Sequence, residues 1–204
     1  MKVKICGISD IESARVAVKY GTDAIGFVFA KSKRKVTPEQ AREIIQNIPF
    51  HVDKIGVFVN ETREEIERVI ELAGLTAVQL HGDESPEFCT HFTVPVIKAF
   101  SISNKEDLKK VDEYECDYVL LDSPRGNYHG GNGTSFDWSL LTQNQLKDKK
   151  VILAGGLNLE NVEEAVRLTQ PFMVDVSSGV ETDGKKDLLK IKDFIQKAKS
   201  SVEG

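Results

Sequence analysis

Two glycine-bearing stretches late in the chain, Ala154-Gly155-Gly156-Leu157-Asn158 and Asp175-Val176-Ser177-Ser178-Gly179-Val180-Glu181, have the composition of an anion cradle. Glycine lets backbone N–H groups approach an anion, and N–H groups at a helix start add donors and a favourable dipole. Cys6 ends the first apolar run, with Lys4 two residues earlier on the same face of an extended strand. A neighbouring cation favours a thiolate, which is a nucleophile or a base. Asp122 directly follows Val119-Leu120-Leu121 and precedes a glycine-bearing loop rather than a helix, so acid–base work suits it better than capping. Within Lys31-Ser32-Lys33-Arg34-Lys35 only Arg34 offers a rigid fork for a ligand carboxylate. His81 either donates a hydrogen bond to a ligand or caps the strand that ends at Leu80. His51, His91 and His129 have no ligand-like spacing, so no metal site is expected. Cys89 and Cys116 lie in or beside helical segments and read as small buried hydrophobes.

What must position these groups is a repeated unit. Short β-branched runs, Val3–Cys6, Ala24–Phe29, Lys54–Val59, Ala77–Leu80, Val94–Phe100, Tyr118–Leu121, Val151–Ala154 and Phe172–Val176, alternate with amphipathic segments. The helical segments are Asp10–Tyr20, Pro38–Asn47, Thr62–Ala73, Asn104–Glu113, Asn158–Leu168 and Asp187–Lys199, with Ser85–His91 a shorter candidate. Capping signals open several of them, among them Thr37-Pro38-Glu39 and Asn158 with Asn161. Nearly continuous apolar strands suit a parallel sheet covered by helices. Eight units in 204 residues predict an α/β fold, one (β/α)8 TIM barrel domain over residues 1–204 with its active site at the C-terminal strand ends. An open doubly wound sheet would usually carry a glycine fingerprint after its first strand, and Cys6-Gly7-Ile8-Ser9 is not one.

In a barrel the strand ends share one mouth. Cys6, the 31–35 loop, Asn60, Gln79 with His81, Lys98, Asp122, Gly155-Gly156 and Ser177-Ser178-Gly179 would all face it. The glycine stretches then follow strands seven and eight, the recurrent phosphate site of this fold. Asp175 is expected to pair with Lys4 and orient the surroundings of Cys6. The long Ser123–Asp137 connection, with Gly126, Gly130, Gly131 and Gly133, is a lid candidate. Partial desolvation beneath it would raise Asp122 from a solution pKa of ~3.9 toward a useful acid.

Composition narrows the partners. With 27 Lys plus Arg against 32 Asp plus Glu, the net charge of −5 argues against a basic nucleic-acid binder. It also requires local features to hold any anion. Three cysteines without CxxC spacing fit a reduced compartment. The N-terminal apolar run is too short for a signal peptide, and no apolar stretch reaches the ~18 residues of a membrane span. A cytoplasmic protein with a small phosphorylated substrate, and no nucleic-acid or membrane partner, is expected. Oligomeric state is not readable from these patterns.

Taken in order, several short motifs resemble the phosphoribosylanthranilate isomerase family of tryptophan biosynthesis along essentially the whole chain. They include Lys4-Ile5-Cys6-Gly7-Ile8, Gly26-Phe27-Val28-Phe29, Ser32-Lys33-Arg34, Gly56-Val57-Phe58-Val59-Asn60 and Val78-Gln79-Leu80-His81-Gly82. Leu120-Leu121-Asp122, Phe136-Asp137-Trp138 and both glycine stretches complete the set. The resemblance implies an Amadori rearrangement of N-(5′-phosphoribosyl)anthranilate that needs neither cofactor nor metal. It implies Asp122 as the general acid, Cys6 as the general base and Arg34 as the anthranilate carboxylate ligand. Gly155, Gly156 and Ser177, Ser178, Gly179 would hold the phosphate. His81 and Asp175 join these as substrate-binding candidates. Two other readings are kept open. The histidine-pathway aminoaldose isomerase resembles it in fold and chemistry but carries a carboxylate where this chain has Cys6, and a non-catalytic phosphosugar-binding barrel would not need both Cys6 and Asp122.

Overall fold

The structure is a computed structural model that describes residues 1–116, 118–123, 138, 146 and 149–201. Eight parallel strands close into a barrel in sequence order: β1 (Lys2–Cys6), β2 (Ala24–Val28), β3 (Asp53–Phe58), β4 (Ala77–Leu80), β5 (Val96–Ser101), β6 (Tyr118–Asp122), β7 (Lys150–Leu153) and β8 (Met173–Val176). The barrel shuts where β1 pairs with β8, with Lys4 opposite Asp175 in the register. After Ser177 a short antiparallel hairpin, β9 (Glu181–Thr182) and β10 (Lys185–Lys186), precedes the last helix. Among the described residues the α-helices are α1 (Ile11–Lys19), α2 (Pro38–Ile45), α3 (Arg63–Ala73), α4 (Lys105–Lys109), α5 (Val162–Thr169) and α6 (Leu188–Ser200). Among the described residues no helix is long and apolar enough to cross a membrane.

The period of two along each strand sorts side chains between two cores. Outward residues such as Val3, Ile5, Val78, Leu80, Val174 and Val176 pack under the helices with Ala14, Ile66 and Phe194. Inward residues such as Ala24, Ile55, Ala77, Leu120 and Met173 fill the barrel. Toward the mouth this interior turns polar, because Lys4, Gln79, Lys98 and Asp175 are all buried there. Every charge in that layer needs a partner, since an unpaired buried charge is costly.

Helix starts follow their caps where the side chain reaches back. Thr37 and Gln40 form a reciprocal capping box on α2, and Asp10 caps α1. Three segments depart from the sequence pattern. Ser85–His91 forms turns rather than a regular helix: Cys89 N–H is shared between the Ser85 and Pro86 carbonyls, His91 turns to φ +62°, and the Arg63 guanidinium takes the carbonyls of Phe88, Thr90 and His91. The segment from Asn158 starts its helix only at Val162: Asn158 N–H donates to Asn161 Oδ1 and Glu160 N–H to Asn158 Oδ1, two local turns in place of a helical start. Asn104–Glu113 divides into α4 and a tighter 3₁₀ turn over Lys110–Glu113.

Candidate active site

At the C-terminal ends of the strands lies a cleft of about 600 Å³. Its lining unites Cys6, Arg34, Gln79, His81 and Asp122 with Gly155, Gly156, Asp175, Ser177 and Ser178. Of the residues expected to act on or bind a substrate, Gly179 alone is not part of the lining. It packs behind it, where a side chain would run into the Leu157 carbonyl. Its glycine identity therefore serves the approach of two loops.

Cys6 sits at the end of β1, only 8% exposed, beside Gly26 of β2. A Cβ on Gly26 would lie 2.8 Å from Cys6 Sγ, so the missing side chain is what makes room for the thiol. One step down the same strand face, Lys4 donates to Asp175 Oδ2 at 2.9 Å and Gln79 Oε1 at 2.8 Å, with its charge beside the Cys6 thiol. The expected Lys4–Asp175 pair is thus present. Burial works against the Lys4 charge, but Asp175 and Cys6 outweigh it and hold the ammonium proton more tightly than usual. The thiol differs from the sequence expectation. Burial pushes Cys6 up, and although Lys4 and Lys186 pull it down, the net shift is upward. An adjacent cation is therefore not sufficient to lower a thiol that is also shut away from water.

Asp122 ends β6 with its side chain 28% exposed, and its Oδ2 lies 3.3 Å from His81 Nε2. The turn after β7 comes close to it. Gly155 takes φ +80°, and a Cβ there would strike the Ser123 backbone nitrogen and sit 2.9 Å from Asp122 Oδ1. His81 is held from behind by Gln79, whose Nε2 is 2.8 Å from His81 Nδ1. The lid expected over Asp122 falls on the Ser123–Asp137 connection, which beyond Ser123 lies outside the described residues.

Arg34 reaches the cleft, but Glu181 already accepts from its Nε and Nη2 at 2.6 and 2.7 Å. Glu181 also accepts from Lys186 Nζ at 2.8 Å, and Lys186 donates to the Ser177 carbonyl at 2.8 Å. Burial raises Glu181, yet the Arg34 and Lys186 hydrogen bonds prevail and bring it down to about 2. Glu181 and Lys186 went unrecognised as site residues. Glu181 closes the second glycine stretch, which by itself signals no partner for Arg34, and Lys186 carries no sequence signal. The helix start expected beside the glycines is displaced on both sides. A three-residue 3₁₀ turn, Ser178–Val180, follows β8, and α5 begins six residues beyond Gly156. The backbone N–H groups at this end of the cleft are therefore those of turns rather than of a helix start. Asn60 and Lys98 line not this cleft but an adjoining cavity of about 700 Å³ that shares His81 and Asp122 with it, where Asn60 Oδ1 accepts from Asp83 N–H and Lys98 pairs with Glu84.

Comparison with known proteins agrees with this geometry. Residues 3–197 match the family described as N-(5′phosphoribosyl)anthranilate (PRA) isomerase. The N-(5′-phosphoribosyl)anthranilate isomerase of Bacillus mycoides (strain KBAB4) is 58% identical over 201 residues, covering 98% of each chain. The crystal structure of the phosphoribosyl anthranilate isomerase of Thermotoga maritima superposes with a TM-score of 0.91 at 46% identity, covering 98% of this chain and 99% of that one. A further structure of such an isomerase superposes at 0.88 with 44% identity, covering 98% of this chain and 99% of that one. It was solved in complex with reduced 1-(o-carboxyphenylamino)-1-deoxyribulose 5-phosphate.

Proposed function

The chain belongs to the N-(5′-phosphoribosyl)anthranilate isomerase family, and from that premise we propose how its mouth performs the family's aldose–ketose isomerisation in tryptophan biosynthesis. N-(5′-phosphoribosyl)anthranilate, an aminoaldose, becomes 1-(2-carboxyphenylamino)-1-deoxyribulose 5-phosphate, an aminoketose. The enzyme acts in the cytoplasm as one barrel domain.

Asp122 gives a proton to the furanose ring oxygen as the C1′–O bond breaks, and the anthranilate nitrogen lone pair forms the Schiff base. That cation acidifies the C2′ proton, which Cys6 removes as a thiolate. The resulting enolamine tautomerises to the ketone. A thiol held above its ordinary range gives a stronger base once ionised, and Lys4 is the cation that makes ionisation possible in a closed pocket. The phosphate is held by turn N–H groups of Gly155-Gly156 and Ser177-Ser178, with Lys186 fixing the second turn from behind. Arg34 meets the anthranilate carboxylate with the edge of its guanidinium that Glu181 leaves open. Asp175 Oδ1 is buried without a hydrogen-bond partner among the described residues, which fits an acceptor for a sugar hydroxyl.

One observation carries these assignments: an acid and a thiol from β6 and β1 line the same cleft as the two glycine turns. The test is turnover of substrate generated in situ, followed by loss of anthranilate fluorescence. Cys6→Ser and Asp122→Asn are each expected to lower kcat by at least about 100-fold while still binding the reduced product analogue. A variant that retains wild-type turnover removes its residue from the chemistry. A folded wild-type protein that binds the analogue and turns nothing over supports a phosphosugar-binding barrel instead.

A further inference from the structure

Cys6 and Asp122 belong to different strands, yet a line of side chains joins their surroundings through the barrel interior. Lys4 Nζ lies 2.8 Å from Gln79 Oε1, Gln79 Nε2 lies 2.8 Å from His81 Nδ1, and His81 Nε2 lies 3.3 Å from Asp122 Oδ2. The direction of each bond follows from its first member. An ammonium has only donors, so the carbonyl oxygen of Gln79 must face Lys4. The amide NH₂ then faces His81, and having only donors it requires Nδ1 to accept. The imidazole proton is left on Nε2, the ring nitrogen that stands 3.3 Å from Asp122 Oδ2.

We propose that Gln79 is a positioning residue for this reaction: it fixes His81 as the Nε2–H tautomer, which donates to Asp122 Oδ2 and leaves Oδ1 to carry the proton delivered to substrate. The amide has a second consequence. It cannot pass a proton on without changing its own bonding, so the interior line sets orientation at both ends while keeping the protons of Cys6 and Asp122 separate. Lys4, Gln79 and Asp175 are buried, so the line starts from an anchored charge. This inference rests on the reading of Asp122 as the acid, although the tautomer itself does not.

The experiment is long-range ¹H–¹⁵N correlation on protein labelled in its histidine rings, with His81 assigned by its loss in His81→Asn. Wild type should show His81 with a protonated Nε2 and an accepting Nδ1. Gln79→Met should release the tautomer into a mixture and lower kcat about tenfold or more with KM little changed, as expected of lost orientation. Gln79→Glu accepts from Lys4 and from His81 alike, so it should move the imidazole proton to Nδ1 and lower kcat further. His81 protonated on Nδ1 in wild type overturns the proposal, and that spectrum needs no variant to fold. So does a Gln79→Met protein with both the spectrum and kcat of wild type. Turnover retained in Asp122→Asn would instead overturn the acid assignment, with the spectrum unaffected.

Discussion

Two of the buried lysine–carboxylate pairs near the mouth, Lys98–Glu84 and Lys4–Asp175, differ in what they leave unsaturated. Lys98 Nζ meets Glu84 Oε2 at 2.9 Å and also donates to the Gly82 carbonyl at 2.7 Å. Glu84 in turn accepts from the N–H groups of Asn60 and Gly82, each at 2.9 Å. That pair ties the loops after β3 and β4 to β5 and turns its charge inward on backbone. Lys4 and Asp175 meet at the same 2.9 Å, but Asp175 Oδ1 has no partner among the described residues and the Lys4 charge acts on the neighbouring Cys6 thiol. Ion pairing at equal distance thus serves two ends. A saturated pair holds loops, whereas a pair with a free lone pair and a reactive neighbour is poised toward a ligand.

The largest expected effect separates the two lysines directly. Removing either leaves a buried carboxylate uncompensated, which costs on the order of 3–5 kcal/mol when the partner charge is fully buried. Both Lys4→Met and Lys98→Met should therefore lower the denaturation midpoint. Only Lys4→Met should lose turnover in the folded molecule, by about 100-fold in kcat/KM, because the thiolate loses its counter-ion. Activity normalised to the folded fraction makes the measurement. Equal losses in the two variants would erase the distinction between the pairs.

A smaller effect sharpens the role of Lys4. Because burial dominates and raises Cys6, alkylation by iodoacetamide should climb with pH only above the ordinary thiol range. Lys4 favours the thiolate, so Lys4→Met should move that climb to still higher pH and slow alkylation about tenfold at a fixed pH below it. The folding linkage has the matching sign: a proton held more tightly in the folded state supports stability at low pH and withdraws that support as pH rises through the folded value. Mass spectrometry on Cys6 separates its label from those on Cys89 and Cys116. An unshifted profile would mean that the ammonium serves Asp175 and Gln79 and not the thiol.

The contrast between the pairs also marks what the sequence reveals. Strand ends are legible because an apolar run that stops at Cys6, His81 or Asp122 announces both the strand and the residue at the mouth. The Lys4–Asp175 pair was reachable once β1 was placed beside β8, since closure of the barrel dictates that neighbour. Arg34 with Glu181 was not reachable, because 147 residues separate them and their meeting depends on a hairpin after β8 that has no periodic signature. The direction of the Cys6 shift was hidden for a related reason. A neighbouring cation is read from spacing, whereas desolvation depends on how all strands close over the thiol. Gln79 shows the same limit in part: His81 lies two residues on at the end of the same strand, where spacing reveals it, but Lys4 reaches Gln79 from β1 across the barrel interior.

Glu181 carries the last and smallest prediction. Its carboxyl is depressed from an ordinary value near 4.5 to about 2, so its ionised pairing supports the fold above pH 4.5 and loses that support as pH falls toward 2. Glu181→Gln removes a charge between Arg34 and Lys186. The loss at neutral pH should be on the order of 2 kcal/mol, below that of a fully buried pair because Arg34 is part-exposed and screened. The gap in thermal midpoint between wild type and Glu181→Gln should then narrow as pH drops from 4.5 to 2, since wild type protonates the same group and the variant cannot. A gap that stays constant across that interval would assign the stabilisation to packing of the β9–β10 hairpin rather than to charge. In that case Arg34 would be held by shape alone, and its guanidinium would be free to turn wholly toward a ligand carboxylate.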